Sequence, residues 1–246
     1  MKFPISSAIL LLSALSAPAA VVFSTNNEVG AGGVGSTFTP SYSVSSTDLI
    51  NGMTPSASGG NFAATEISGG LPVLTDGTYG AITEPGGAAD RTHLIFGLGG
   101  GAADTGTFVT YSLNIAANPL GFNISSIAVY GGWNDNGRDQ QLYTVAYSML
   151  GSSAFIDLPT VNFNPAVDAN LQSATRTVLT NDSGDFIATG VDEIRFTFNS
   201  PAPENGYTGY TELDVIGSPS VPEPASLTFL AATGLLLAGK RRRSRR

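Results

Sequence analysis

The chain has no cysteine, one histidine, one tryptophan and only two lysines, and both lysines lie in the end segments. Without cysteine there is no disulfide, no thiolate metal site and no cysteine nucleophile. A single histidine, His93, leaves no His/Cys ligand set for zinc. A Ser-His-Asp triad would have to use His93, and no G-x-S-x-G elbow is present to carry its serine. Cations are equally scarce in the body. Between Val21 and Ser220 only Arg91, Arg138, Arg176 and Arg195 stand against 18 acidic residues, a formal charge of −14. Such a surface repels phosphate backbones, which argues against nucleic-acid binding. No segment of the body sustains a helical period. The apolar runs near the ends fall short of the about 20 residues that a spanning helix needs.

What is present at the N-terminus reads as an export signal. Lys2 supplies an early positive charge, Ile5 to Ala17 is mostly apolar, and Ala17-Pro18-Ala19 places small residues where a signal peptidase reads. Cleavage is expected after Ala19 or Ala20, giving a signal peptide over 1–20 and a body over 21–218. Residues 219–246 have their own order. Val221-Pro222-Glu223-Pro224 is followed by the apolar segment Leu227–Gly239 and then by a basic cluster from Lys240 to Arg246. The prolines impose an extended approach. Basic residues after an apolar helix stay cytoplasmic, which puts the body outside.

This triple arrangement resembles the PEP-CTERM sorting signal, with Pro222, Glu223 and Pro224 as the motif. The resemblance implies recognition by a membrane protease of the exosortase type. It also implies transient insertion of the C-terminal helix in the inner membrane, then release to the cell surface or extracellular matrix. Proteins with this signal belong largely to Gram-negative bacteria that make exopolysaccharide.

The body itself reads as strands. Val109, Tyr111, Leu113 and Ile115 alternate with polar residues, as do Ile194, Phe196 and Phe198, and Tyr143, Val145, Tyr147 and Met149. Period-two alternation puts one face in a core and the other in solvent. Further strands are expected at Thr37–Val44, Thr92–Phe96, Ile124–Tyr130, Arg176–Thr180 and Tyr210–Ile216. Asp76-Gly77, Asn136-Gly137 and Asn205-Gly206 mark turns. Many short strands with Gly- and Asn-rich turns predict an all-β protein, an antiparallel, jelly-roll-like β-sandwich. The Gly-, Ser- and Thr-rich stretch from Asn26 to Gly60 is expected to be partly irregular. Gly97-Leu98-Gly99-Gly100-Gly101-Ala102 fits a dinucleotide fingerprint formally, but Ala103-Asp104-Thr105-Gly106 leads into a strand where a helix is required.

Three pieces of the body are similar to the galactose-binding-domain-like sandwich, the fold of discoidin domains and many carbohydrate-binding modules. They are Leu74-Thr75-Asp76-Gly77, Ile127 to Trp133, and Thr211-Glu212-Leu213-Asp214-Val215-Ile216-Gly217. In that family a structural calcium often joins the early turn to the closing strand. The resemblance therefore implies Asp76 and Glu212 as carboxylate ligands, against the plainer reading that Asp76 caps a turn and Glu212 faces solvent.

The loop from Trp133 to Gln141 is the most polar and distinctive loop of the body. As a sugar site it would stack a pyranose on Trp133 and bind hydroxyls with Asn134, Asn136, Arg138 and Gln140. The alternative is that Trp133 covers the end of the sandwich and Arg138 pairs with Asp135 or Asp139. The expected function is an exported, non-catalytic surface or matrix protein that binds extracellular polysaccharide. A glycan hydrolase using a carboxylate pair and a purely structural envelope protein remain as alternatives.

Overall fold

Alternation writes the strands directly. In the strand Ala188–Asn199, Ile194, Phe196 and Phe198 are fully buried, while Glu193, Arg195, Thr197 and Asn199 stay partly exposed. The computed structural model describes residues 20–32, 36–60, 62, 69–80, 94–97, 105–134, 137–168, 170–199 and 207–222. Among them are eleven strands. They are β1 Val21–Val29, β2 Ala57–Gly59, β3 Leu94–Gly97, β4 Thr105–Ser112, β5 Phe122–Trp133 and β6 Gln141–Met149. Then follow β7 Phe155–Asp157, β8 Val161–Phe163, β9 Ser173–Asn181, β10 Ala188–Asn199 and β11 Tyr207–Pro219. A short 3-10 turn covers Leu71–Thr75.

All described pairings are antiparallel, and they fall into two layers. In one, the order is β1-β9-β5-β11-β3. In the other, β2-β4-β10-β6 continues into β7 and β8, which share the far edge of β6. The layers join at a corner where Ala188 and Val191 of β10 pair with Ile124 and Phe122 of β5. Elsewhere they face each other, as in a β-sandwich. Phe198 of β10 and Tyr143 of β6 lie 4.6 and 6.2 Å, ring to ring, from Tyr210 of β11. The Tyr143 hydroxyl meets that of Thr177 on β9, and Gln141 Nε2 donates to Thr175 Oγ1. Each fully buried aromatic contributes roughly 1.5–3 kcal/mol of transfer free energy, so this aromatic seam is a large share of the core.

A strap over residues 36–51 crosses the layer that contains β5 and β9. Tyr42, Tyr79 and Tyr130 pack ring against ring there, with centroids 5.8 to 6.2 Å apart. Tyr130 donates to the Ser43 carbonyl, Tyr42 to that of Ala174 and Tyr79 to that of Gly131. Over β5 and β11 both faces of the layer are thereby dry, which explains why β11 is buried from Thr208 to Val215 rather than alternating, while the edge strand β1 stays mostly exposed.

The alternation read over 109–115, 143–149 and 194–198, and the strand expected over 210–216, each meet a strand. β4, however, stops at Ser112, and Ile115 lies in the following turn, 41% exposed. Thr37–Val44 forms no strand. It is the strap, held by hydroxyls and rings rather than by a ladder, and the irregularity expected for Asn26–Gly60 begins only after Val29. The alternation in β6 also breaks, leaving Tyr147 half-buried and Met149 exposed. Tyr147 still lies opposite Ile194 and packs against the core, and the register against β10 shifts only beyond it, between Val191 and Glu193. His93, Asp135, Asn136, Glu223, Pro224, the N-terminal signal and the Leu227–Gly239 segment lie outside the described residues. No described helix is long and apolar enough to cross a membrane.

Candidate metal centre

β11 brings Glu212 and Asp214 to one place, and the strap brings Asp48 to them. One carboxylate oxygen from each of the three lies within 4.8 Å of the others. Each acid is partly held by backbone. Asp48 Oδ1 accepts from the Ile50 and Val215 amides at 2.9 and 3.3 Å. Asp214 Oδ2 accepts from the Ser45 amide at 2.8 Å and from the Tyr130 hydroxyl at 3.2 Å. Glu212 Oε1 accepts a long bond, 3.4 Å, from the Gly77 amide. The remaining oxygens, Asp48 Oδ2, Glu212 Oε2 and Asp214 Oδ1, are buried without a hydrogen-bond partner.

Buried carboxylates that are neither ion-paired nor fully hydrogen-bonded hold their protons. Burial, then the charges of Asp214 and Asp76, push Glu212 up to about 9. Burial is also the largest cause for Asp214, raised to about 6, with Asp48 adding to it and Arg176 offsetting least. Burial raises Asp48 as well. The Tyr111 hydroxyl, buried and without a hydrogen bond, is held protonated by burial and then by the charges of Glu212 and Asp48. Three carboxylates with oxygens this close, each also holding one buried oxygen without a hydrogen bond, make the donor set of a hard cation. Calcium takes six to eight oxygens and tolerates irregular geometry, so these residues fit it.

Of the resemblance-implied pair, the carboxylate cluster contains Glu212 and not Asp76. Glu212 is fully buried in the cluster, so the solvent-facing alternative is corrected. Asp76 is its neighbour through Gly77, but Asp76 Oδ1 accepts from the Thr78 amide and hydroxyl at 2.9 and 2.8 Å and so caps the turn. Asp48 and Asp214 carry the rest of the site, and neither was singled out from sequence. The spacing of Glu212 and Asp214, two apart on a strand, was the available signal, since such residues share a face. Asp48 gave none, because it sits in the irregular strap.

The Trp133 loop forms no open platform. Trp133 is 4% exposed, and Asn134 is buried beside it. The Arg138 guanidinium lies between two rings, 4.6 Å from Trp133 and 4.7 Å from Tyr207. Gln140 is buried and donates to Asn162 Oδ1 at 2.8 Å. Among the described residues Arg138 is the one non-glycine with positive φ, +79°. Its carbonyl accepts from the Gly209 amide, which ties the loop to β11. The expectation of an exposed Trp133 face is therefore corrected: a ring capped by a guanidinium and buried at the end of the sandwich has no face left for a sugar. Arg195, over Phe155 at 3.9 Å, and Arg176, over Tyr130 at 5.8 Å, show the same use of scarce cations.

No protein-family model matches the chain, and no curated protein is similar to it in sequence. Among solved structures the chain is similar to a chitosan-binding module of a chitosanase/glucanase from Paenibacillus sp. IK-5. The identity is 11%, 69% of this chain and 98% of that one are covered, and the TM-score is 0.38. It is also similar to the family 32 carbohydrate-binding module of NanJ from C. perfringens, seen with galactose. There the identity is 14%, the coverage 65% and 91%, and the TM-score 0.38. The F5/8 type C domain of a Bacteroides fragilis protein matches at 13% identity over 47% of this chain and 67% of that one, with a TM-score of 0.31. Likeness at this level assigns no ligand and no site residue to this chain.

Proposed function

We propose that this is an exported, non-catalytic protein of the cell surface or extracellular matrix, whose sandwich is held together by calcium at Asp48, Glu212 and Asp214. The observation that carries the reading is the set of orphaned carboxylate oxygens in that cluster. Calcium sites of extracellular modules work at dissociation constants of about 10⁻⁴–10⁻³ M, concentrations met outside the cell. A body that needs such an ion belongs with the two export signals in its sequence. Signal peptidase removes 1–20. A membrane protease of the exosortase type acts at Pro222-Glu223-Pro224 and frees the body from Leu227–Gly239.

The buried cluster supports ion binding over hydrolysis. A glycosidase pair must flank a sugar bond, and carboxylates sealed under the strap reach none. When bound, calcium supplies positive charge and coordination bonds that join the strap to β11. Glu212, Asp48 and Asp214 would hold the ion as carboxylates, so the proton that burial keeps on Glu212 would be released on binding. Polysaccharide remains the ligand class of the reading. It would meet the polar groups around Arg138 and Asn162, with Trp133 contributing packing only.

Mass spectrometry of the exported protein tests the processing. Peptides should end near Pro222–Pro224 and none should come from Leu227–Gly239. Recovery of that segment from the medium contradicts the sorting reading. A glycan array of the body, with and without calcium, tests the ligand: saturable binding without turnover supports the reading, and turnover replaces it with a hydrolase.

A further inference from the structure

The strand directions send both described chain ends to the same end of the sandwich. β5 starts there at Phe122, β6 ends there at Met149, and β11 ends there at Pro219. Ser220 is the last of the described residues with a hydrogen bond to the sandwich. Its amide donates to the Gly121 carbonyl at 2.9 Å, and its hydroxyl bonds to Asn123 and to the Gly190 amide. Ala20 exchanges hydrogen bonds with Asp182 at the same end.

Several exposed large apolar side chains stand at this end, while Val29, 43% exposed, stands at the other. Leu120, Met149, Leu150 and Phe186 are each 40 to 44% exposed, and Val221 is 74% exposed. The first three surround Gly190. The Leu150 amide donates to its carbonyl at 2.8 Å, and the Leu120 carbonyl and the Met149 methyl lie 3.7 and 4.0 Å from where its Cβ would be. No described arginine is at this end: Arg138 is at the other end, and Arg176 and Arg195 lie within β9 and β10. The charges here are all acidic: Asp182 and Asp185 in the turn before Phe186, and Asp192 and Glu193 beside the Ser148–Met149 end of β6.

Only six residues, Val221 to Ser226, separate the anchored Ser220 from the apolar segment that begins at Leu227. At about 3.1 Å per residue for an extended, Pro-containing link, the span is about 20 Å. Some 5–7 Å of that crosses a headgroup layer. The apolar end therefore cannot leave the bilayer surface by more than about 15 Å while Leu227–Gly239 is inserted.

We propose that this end of the sandwich is a membrane-resting face: Leu120, Met149, Leu150 and Phe186 dip into the headgroup layer while the C-terminal segment is inserted. The inference rests on the insertion that the sorting reading requires. The contact is apolar and shallow, so high salt leaves it intact. Tethering makes it local, and a link this short supplies an effective concentration that free encounter does not. Once the link is cut at Pro222-Glu223-Pro224 the contact is lost and the body leaves.

The absence of native cysteine makes the test direct. The full chain, carrying a fluorophore on L120C, L150C or, at the opposite end, N170C, is reconstituted in phosphatidylcholine vesicles containing a headgroup-nitroxide lipid. Carbonate extraction first reports whether the chain is inserted. A chain that washes out removes both the insertion reading and this proposal. In inserted chains, labels at 120 and 150 should be quenched several-fold more than the label at 170, equally at low and high salt, and quenching should vanish when the link is cut. A double variant M149D/F186D should cut the quenching at 150 while leaving the chain inserted. Equal quenching at both ends of an inserted chain overturns the proposal. So does quenching that disappears when chains are diluted among vesicles, which would assign the face to a second copy.

Discussion

Glu212 and Asp214 stand two residues apart on β11 with carboxylate oxygens within 4.8 Å of each other, and one oxygen of each is buried without a hydrogen-bond partner. In the metal-free protein such a pair is tolerable only if protonated. Glu212 is raised from 4.5 to about 9 and Asp214 from 3.8 to about 6. Between its ordinary and raised values, each group binds a proton in the folded chain that the unfolded chain has released. The linkage therefore makes stability fall as pH rises through that window. After chelation, the melting temperature should be lower at about pH 8 than at about pH 5. Added calcium should close the gap, because binding displaces the protons. Calorimetry in buffers of different ionisation enthalpy should show proton release on calcium binding.

Glu212→Gln should then have opposite effects in the two states. The amide keeps the shape of the protonated acid and adds no charge. The metal-free variant should therefore melt no lower than the metal-free parent at neutral pH, and its fall with rising pH should be shallower. With calcium present the parent should be the more stable of the two. Thermal melts of both proteins, with calcium and with chelator, give all four values.

Trp133 tests the packing at the far end. A buried ring reduced to a methyl group costs about 3–5 kcal/mol. Trp133→Ala should lower the melting temperature by about 10 °C for a domain of this size. As the only tryptophan, Trp133 reports on itself, with blue-shifted emission protected from a soluble quencher.

Arg138 combines two effects that substitutions can separate. Its guanidinium between Trp133 and Tyr207 contributes roughly 0.5–2 kcal/mol, and its φ of +79° strains any residue but glycine. Arg138→Ala should lose the ring contacts and keep the strain. Arg138→Gly should lose the contacts and relieve the strain, and so be about 1 kcal/mol less damaging. Denaturant midpoints of the two variants give the difference.

The strands were legible because β10 keeps one face in the core and one at the surface, as β4 largely does and β6 does as far as Val145. That legibility failed where a second covering layer removed the contrast. β11 is buried on both faces, so its acids read as ordinary solvent-facing residues. The strap over Thr37–Val44 carries strand-like residues but uses them as ring and hydroxyl contacts to β5, which no local pattern records. β1 was missed because Val21–Val29 mixes polar residues on both faces at a sheet edge. Asp76 was legible as a turn former, and its Asx bonds to Thr78 are what the Asp-Gly pair predicts. Asp48 reaches the cluster from 164 residues away in sequence from Glu212, and only the fold shows that it does. Trp133 was visible as singular, but its burial depends on Arg138 and Tyr207 closing over it.

The central claim is that calcium closes the Asp48–Glu212–Asp214 cluster, and one thermal melt addresses it. At calcium about a hundred times its dissociation constant, binding to the folded state alone adds roughly 2.7 kcal/mol, so chelation should lower the melting temperature of the exported protein by about 5 °C or more. The same treatment should leave Glu212→Gln nearly unmoved. A parent protein whose melting curve is identical with calcium and with chelator would contradict the account.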